Sequence, residues 1–150
     1  MMMKTHMAIA VFAVLFLVEH TVYKYSFIVV TLLATFIPDI DSGFSTMGKW
    51  NIFRPIQFFT KHRGVIHSFT LCVILSSLLA WFWPVYALPF FLGYSFHLFA
   101  DSFTVRGIRP FWPFKFHTEG SIRSGKLIDK VVFYTFVIID VFLLVLMFIK

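Results

Sequence analysis

Residues 131–149 read VVFYTFVIIDVFLLVLMFI, and this stretch decides the class of fold. One charged side chain, Asp140, interrupts an otherwise apolar run. At a rise of 1.5 Å per residue, about 20 helical residues cross the roughly 30 Å hydrocarbon layer of a bilayer. The stretch is therefore long enough to span a membrane by itself as a helix.

The whole chain of 150 residues shares this apolar character. Hydrophobic residues make up 59% of it and charged residues 13%, against about 45–50% and about 25% in soluble domains. The single cysteine, Cys72, cannot form an intrachain disulfide. This composition excludes a disordered chain, a coiled coil, a collagen and a secreted disulfide framework. We expect one integral membrane domain over residues 1–150.

Four further apolar runs precede the last one, at residues 7–18, 26–37, 68–83 and 85–100. Each is shorter than a complete span, so we expect their helices to continue into a polar site at the membrane surface. The runs predict an all-α, polytopic transmembrane bundle of about five helices. The alternative is four helices, with the first two runs forming an interfacial hairpin.

The basic residues are distributed unevenly between the two faces of such a bundle. With five spans, segments 1–6, 38–67 and 101–130 share one face and hold eleven of the thirteen Lys and Arg residues. The positive-inside rule then places the N-terminus and both larger loops in the cytoplasm. We therefore expect a protein of the plasma (inner) membrane in this orientation.

Polar side chains gather at the helix ends that this topology brings to the cytoplasmic face. They are His6 in the first helix, Asp39 and Asp41 after the second, His62 and His67 before the third, and His97 and Asp101 at the end of the fourth. Ionisable residues at the membrane are costly unless they are paired or solvated, which makes them candidates for function.

These residue types suit a divalent metal. His97 and Asp101 are four positions apart and share one helix face, and imidazole and carboxylate groups bind zinc or manganese. The candidate ligands exceed the four of a tetrahedral zinc, so we expect two ions, Zn²⁺ or Mn²⁺, with Asp101 bridging them. The predicted ligands are His6, Asp39 with Asp41 as its alternative, His62, His67, His97 and Asp101.

Two such ions, about 3.5–4 Å apart, can activate a water and hold a leaving oxygen. Asp39 or Asp41 can accept the proton, and the planar guanidinium groups of Arg63, Arg106 and Arg109 suit a phosphate. The sequence thus predicts a membrane-bound, metal-dependent hydrolase acting on a phosphoester, with a lipid-borne phosphoester included. Membrane lipids are the expected partners, and nucleic acid is not.

At these residues the sequence resembles the LexA-regulated, membrane-bound, metal-dependent hydrolase family, which is YdjM-like. The matching motifs are Thr5-His6, Pro38-Asp39-Ile40-Asp41, His62-Arg63-Gly64 followed by His67-Ser68, and Gly93-Tyr94 followed by His97 and Asp101. That family is distantly similar to zinc-dependent phospholipase C and the P1-type nucleases. The resemblance implies His6 on one metal, Asp39, His67 and His97 on the other, and Asp101 on both, with His62 and Asp41 as supporting or alternative ligands.

The phospholipase-like relatives hold a further zinc with a later His/His/Glu set. In this chain the corresponding region offers only His117 and Glu119. A complete third site is therefore not expected, and His117 is kept as a candidate substrate-binding residue.

Two other classes of function use the same donors. A metal transporter or sensor would place its ligands near the middle of the membrane, whereas these lie at helix ends. A non-catalytic scaffold would hold a structural zinc in a closed and often Cys-rich site, whereas this site is rich in His and Asp. Both comparisons favour the hydrolase.

Overall fold

The computed structural model describes residues 1–41, 54 and 64–149. Within these residues the protein is all-helical, and no β-strand occurs in them. The helices are α1 (Met3–Leu17), α2 (Lys24–Ala34), α3 (Phe69–Phe82), α4 (Pro84–Ser102) and α5 (Leu127–Ile149), with 3₁₀ turns at Val18–His20 and Ile37–Asp41. The predicted all-α architecture of five helices is confirmed.

Two stretches are long and apolar enough to cross a membrane, Met3–His20 and Leu127–Ile149. The first is almost half buried inside the bundle, whereas the second is exposed over nearly its whole length. A helix that is apolar on its exposed sides requires a nonaqueous neighbour. The periphery formed by α5 is therefore suited to contact with lipid chains.

Helix α4 lies at the centre of the bundle and packs against α1, α2 and α3. Pro84 begins it, at a position where the missing amide costs no hydrogen bond. It packs closely against α2 at Gly93, where a Cβ atom would lie 2.1 Å from the carbonyl oxygen of Thr31. The absence of a side chain at Gly93 is thus what lets α2 reach α4, one turn before His97.

Helix α5 packs against α1, and a buried carboxylate joins their first turns. Asp129 accepts hydrogen bonds from the Thr5 hydroxyl at 2.7 Å, the Met2 amide at 3.0 Å and the Gly125 amide at 2.7 Å. Seven residues further along both helices, Phe12 and Phe136 meet edge to face. The two helices therefore run parallel and begin at the same end of the bundle.

The segment between α4 and α5 folds over that same end. Isolated backbone bridges join Thr104 to Ile122 and Ile108 to Thr118. Gly107 has a φ of +55°, and a Cβ atom there would collide with the carbonyl oxygen of Thr118. The Pro110 carbonyl accepts the Phe69 amide at 2.8 Å, so the segment also holds the start of α3.

Replacing Gly93 with alanine should destabilise the protein. In a helix without neighbours this change stabilises by about 1 kcal/mol, but the new methyl group would collide with α2 and cost about 1–3 kcal/mol of overpacking. We expect a lower melting temperature in detergent, measured by circular dichroism. A melting temperature that rises would show that α2 and α4 do not approach this closely.

Replacing Asp129 with alanine should loosen α5 from α1. The change removes the acceptor of three hydrogen bonds, and each buried donor left without a partner costs about 1–3 kcal/mol. Thermal unfolding in detergent should occur at a lower temperature than in the wild type. The matched control is Glu119→Ala on the exposed surface, which should change stability by less than about 0.5 kcal/mol; equal losses in both variants would contradict this role.

Candidate metal centre

Five ionisable side chains from four elements of the fold meet at one end of the bundle. They are His6 of α1, Asp39 of the 3₁₀ turn after α2, His67 immediately before α3, and His97 and Asp101 of α4. The three histidines and Asp101 are almost wholly buried. The chain thus encloses, in an apolar bundle, a cluster that contains three imidazoles and two carboxylates.

The ring of His97 is oriented by the end of α2. Its Nδ1 lies 2.8 Å from the carbonyl oxygen of Thr35. A carbonyl oxygen only accepts, so Nδ1 carries the proton and Nε2 keeps its lone pair. Nε2 is buried and has no hydrogen-bond partner among the described residues. A backbone carbonyl behind one ring nitrogen and an open lone pair on the other is the arrangement of a metal-ligating histidine.

Thr35 is able to accept this bond because α2 ends there. In a continuous α-helix the amide of Asp39 would bond to the Thr35 carbonyl, but it bonds instead to Phe36, at 3.2 Å. Pro38 has no amide hydrogen and so cannot continue the α-helical pattern. The break after α2 therefore has two effects. It leaves the Thr35 carbonyl without its helical hydrogen bond, and it turns Asp39 toward the cluster.

Asp101 connects the two sides of the cluster through its two oxygens. Oδ1 lies 3.3 Å from His6 Nε2 and also accepts the amino group of Met1, while Oδ2 lies 3.8 Å from His67 Nε2. The two oxygens of Asp101 therefore face different histidines. Of the two groups of described donor atoms that could hold a metal ion, Asp101 belongs to one, so the shared role that the resemblance implies for it stays a prediction.

Asp39 lies opposite Asp101. Its Oδ1 is 3.9 Å from both His67 Nε2 and His97 Nε2. Its side chain is 20% exposed, whereas those of Asp101 and the three histidines are at most 2% exposed. Among the described residues of the cluster, Asp39 is therefore the one whose side chain reaches the surface.

The donor atoms form two groups that could hold a metal ion, and His97 belongs to both. One group is His6, His97 and Asp101, and the other is Asp39, His67 and His97, with the ligand atoms of each within 4.8 Å of one another. Ligand atoms about 2.0–2.2 Å from a zinc lie about 3–4 Å apart. The contacts of 3.3–3.9 Å across the cluster fit this spacing, and the imidazole and carboxylate donors suit zinc or manganese.

The position of His67 depends on its neighbours in sequence and on α4. The Ser68 side chain caps α3 by accepting the Leu71 amide at 3.2 Å, and its hydroxyl donates to the Val65 carbonyl at 2.6 Å. The Tyr94 hydroxyl donates to the Ile66 carbonyl at 2.5 Å. Residues on both sides of His67 are thus fixed, which directs its ring inward before α3 begins.

Some of the predicted site residues lie elsewhere or cannot be located. His62, Arg63 and the side chain of Asp41 lie outside the described residues. Arg106 and Arg109 are exposed in the segment after α4 and belong to neither metal-binding group. His117 pairs with Glu119 on the surface, with 3.2 Å between Nδ1 and Oε1, and is likewise outside both groups.

Sequence reasoning missed Thr35, which acts through its backbone. A carbonyl contact needs no particular side chain, so the residue type at position 35 gives no signal. The indirect signal was Pro38, because a proline after an apolar run ends a helix and leaves the preceding carbonyls unsatisfied.

The fold and this cluster define the class of protein: a helical membrane protein with a buried His/Asp group that could hold a metal ion. A family model described as "YdjM inner membrane protein" matches residues 1–149. The chain therefore belongs to the YdjM inner membrane protein family. No curated protein and no solved structure matches it.

Replacing His97 with alanine should lower the metal content of the purified protein. His97 is common to both groups of donors, and loss of even a supporting contact to a ligand costs about 10–100-fold in metal affinity. Elemental analysis of detergent-purified protein, after equilibration with zinc or manganese, measures the effect. His20→Ala is the matched control, since His20 is exposed at the other end of α1; equal metal content in the two variants would rule out His97 as a ligand.

Proposed function

We propose that this protein is a membrane-bound, metal-dependent hydrolase that acts on a phosphoester. The observation that carries the proposal is the cluster of three histidines and two aspartates, buried except at Asp39, in which His97 presents an open Nε2. Zn²⁺ or Mn²⁺ would be held there, with two ions as the expected number because the five donors of the cluster exceed the four ligands of a tetrahedral zinc. When bound, such ions supply Lewis acidity and an activated water.

Each residue of the cluster has a proposed role in binding the ions or in moving a proton. His6, His67 and His97 would bind the ions as neutral imidazoles, and the Thr35 carbonyl keeps the proton of His97 on Nδ1. Asp101 would be the ligand shared between the ions, because one of its oxygens faces His6 and the other faces His67. Asp39, which is partly exposed, or Asp41 would accept the proton of the attacking water.

Binding of the phosphoester is assigned to the basic residues near the same end of the bundle. Arg106 and Arg109 follow Asp101 in the chain, and both side chains are exposed and available to an anion. A guanidinium group forms two parallel hydrogen bonds to a phosphate, which positions as well as attracts it. The sequence further predicts His62 as a metal ligand, Asp41 as a proton acceptor, and Arg63 and His117 as phosphate-binding residues, and we keep these roles as part of the proposal. We propose a cytoplasmic orientation from the positive-inside rule.

The hydrolase proposal predicts that metal and activity disappear together. Wild-type protein loaded with zinc or manganese should hydrolyse p-nitrophenyl phosphate or bis-p-nitrophenyl phosphate, and EDTA should abolish this. The His97→Ala/Asp101→Ala double variant should lose roughly a hundredfold or more, because removing one transition-state contact already costs about 10²–10³.

Two results would contradict the proposal in different ways. Wild-type protein that stays free of metal after loading would leave the chemistry without a catalyst. Protein that binds about two equivalents but cleaves neither phosphoester would favour a transporter, a sensor or a structural metal site. His20→Ala serves as the control for both measurements, and the elution volume in size-exclusion chromatography reports whether each variant is folded.

A further inference from the structure

An apolar groove lies directly beside the candidate metal centre. It has a volume of about 240 Å³ and runs between α1, α4 and α5. It is lined by residues that include Ile9, Phe12, Phe99, Ala100, Val132 and Phe136. Cavities of about 150 Å³ lined by Leu, Ile and Phe stay dry and accept a small hydrocarbon. The groove is therefore large enough to hold a segment of hydrocarbon chain.

One end of the groove touches the metal centre. Ala100 lines the groove and immediately precedes Asp101, and Met1 lines it while its amino group contacts the Asp101 carboxylate. Phe12 and Phe136 lie further along the parallel helices α1 and α5, where their rings meet edge to face. An occupant of the groove would thus have its hydrocarbon along α1 and α5 and its polar end at the cluster.

The charges around this end favour an anionic head group. The segment 102–130 carries six basic residues and two acidic ones, and Arg123 follows Ile122, which lines the groove. On α1, the ammonium group of Lys4 lies 5.0 Å from the ring centroid of Phe133, beside Val132 of the groove wall. Positive charge at the polar end and only apolar side chains below it match the two parts of a membrane lipid that bears a phosphate.

We propose that the groove is the binding site for an acyl chain of a lipid whose phosphate reaches the metal centre. This inference rests on the proposed function, and it names the substrate class as a lipid-borne phosphoester. The wall formed by α5 belongs to a helix that is otherwise exposed and apolar, so a lipid enters from the bilayer without first crossing water. The groove supplies binding energy in proportion to the methylene groups that it buries.

The test is photo-crosslinking in nanodiscs with a non-hydrolysable phosphonate analogue of phosphatidic acid that carries a diazirine in one acyl chain. The metal-loaded wild type should be labelled on groove residues, as located by mass spectrometry of its peptides. Val132→Trp should fill the groove, and labelling should fall about tenfold, since losing the burial of about two methylene groups weakens binding by that factor. Val131→Trp, on the exposed side of the same turn, is the matched control and should leave labelling unchanged.

A second probe separates this site from ordinary lipid contact. A diacylglycerol with the same diazirine chain lacks the phosphonate and should label the groove weakly, and EDTA should reduce the labelling by the phosphonate analogue. Equal labelling by the two lipids, or no difference between Val132→Trp and Val131→Trp, would overturn the inference. The proposed function would survive that result if metal binding and hydrolysis of the soluble p-nitrophenyl esters persisted, so the two failures are distinguishable.

Discussion

The carboxylate of Asp101 imposes the strongest constraint on this fold. It is buried at the end of an apolar helix, where a charge without partners is prohibitively costly. Partners therefore have to come from other parts of the chain, and His6, His67 and the Met1 amino group all contact it. Satisfying this one group requires α1, α4 and the start of α3 to meet at the same end of the bundle.

A second constraint keeps those helices at the required distance. Gly93 allows the backbone of α2 to lie against α4, and α2 then ends where its Thr35 carbonyl faces His97. The metal centre and the helix packing are consequently linked. Gly93 permits the close approach of α2, and His97, which the end of α2 orients, lies one turn further along α4. On the other side of the bundle, the bonds of Asp129 to Thr5 and Met2 hold the start of α1, and thus His6, in place.

The cluster and the groove together give the protein two adjacent environments of opposite polarity. The cluster is polar and enclosed, with Asp39 on its accessible side, whereas the groove is apolar and lies along helices that are suited to a bilayer. A water-soluble enzyme would have to shield such a groove from solvent. In a membrane the lipid does this, which is why an apolar opening beside ionisable groups is tolerated here.

The sequence alone predicted the five helices, since an apolar run in a membrane satisfies its backbone groups best as a helix. It also named the five residues that the structure brings together, because helices that alternate in direction place every second helix end on one face. Its predictions for His62 and Arg63 lie outside the described residues. The exact helix limits differed by a few residues, since α1 begins at Met3 and α2 ends at Ala34. Only the tertiary structure decided that His97 belongs to both groups of donors, that Thr35 orients it, and that His117 stays outside. These features depend on the distances between helices and on the positions of backbone carbonyl groups. Neither can be recognised from the order of residue types in the sequence.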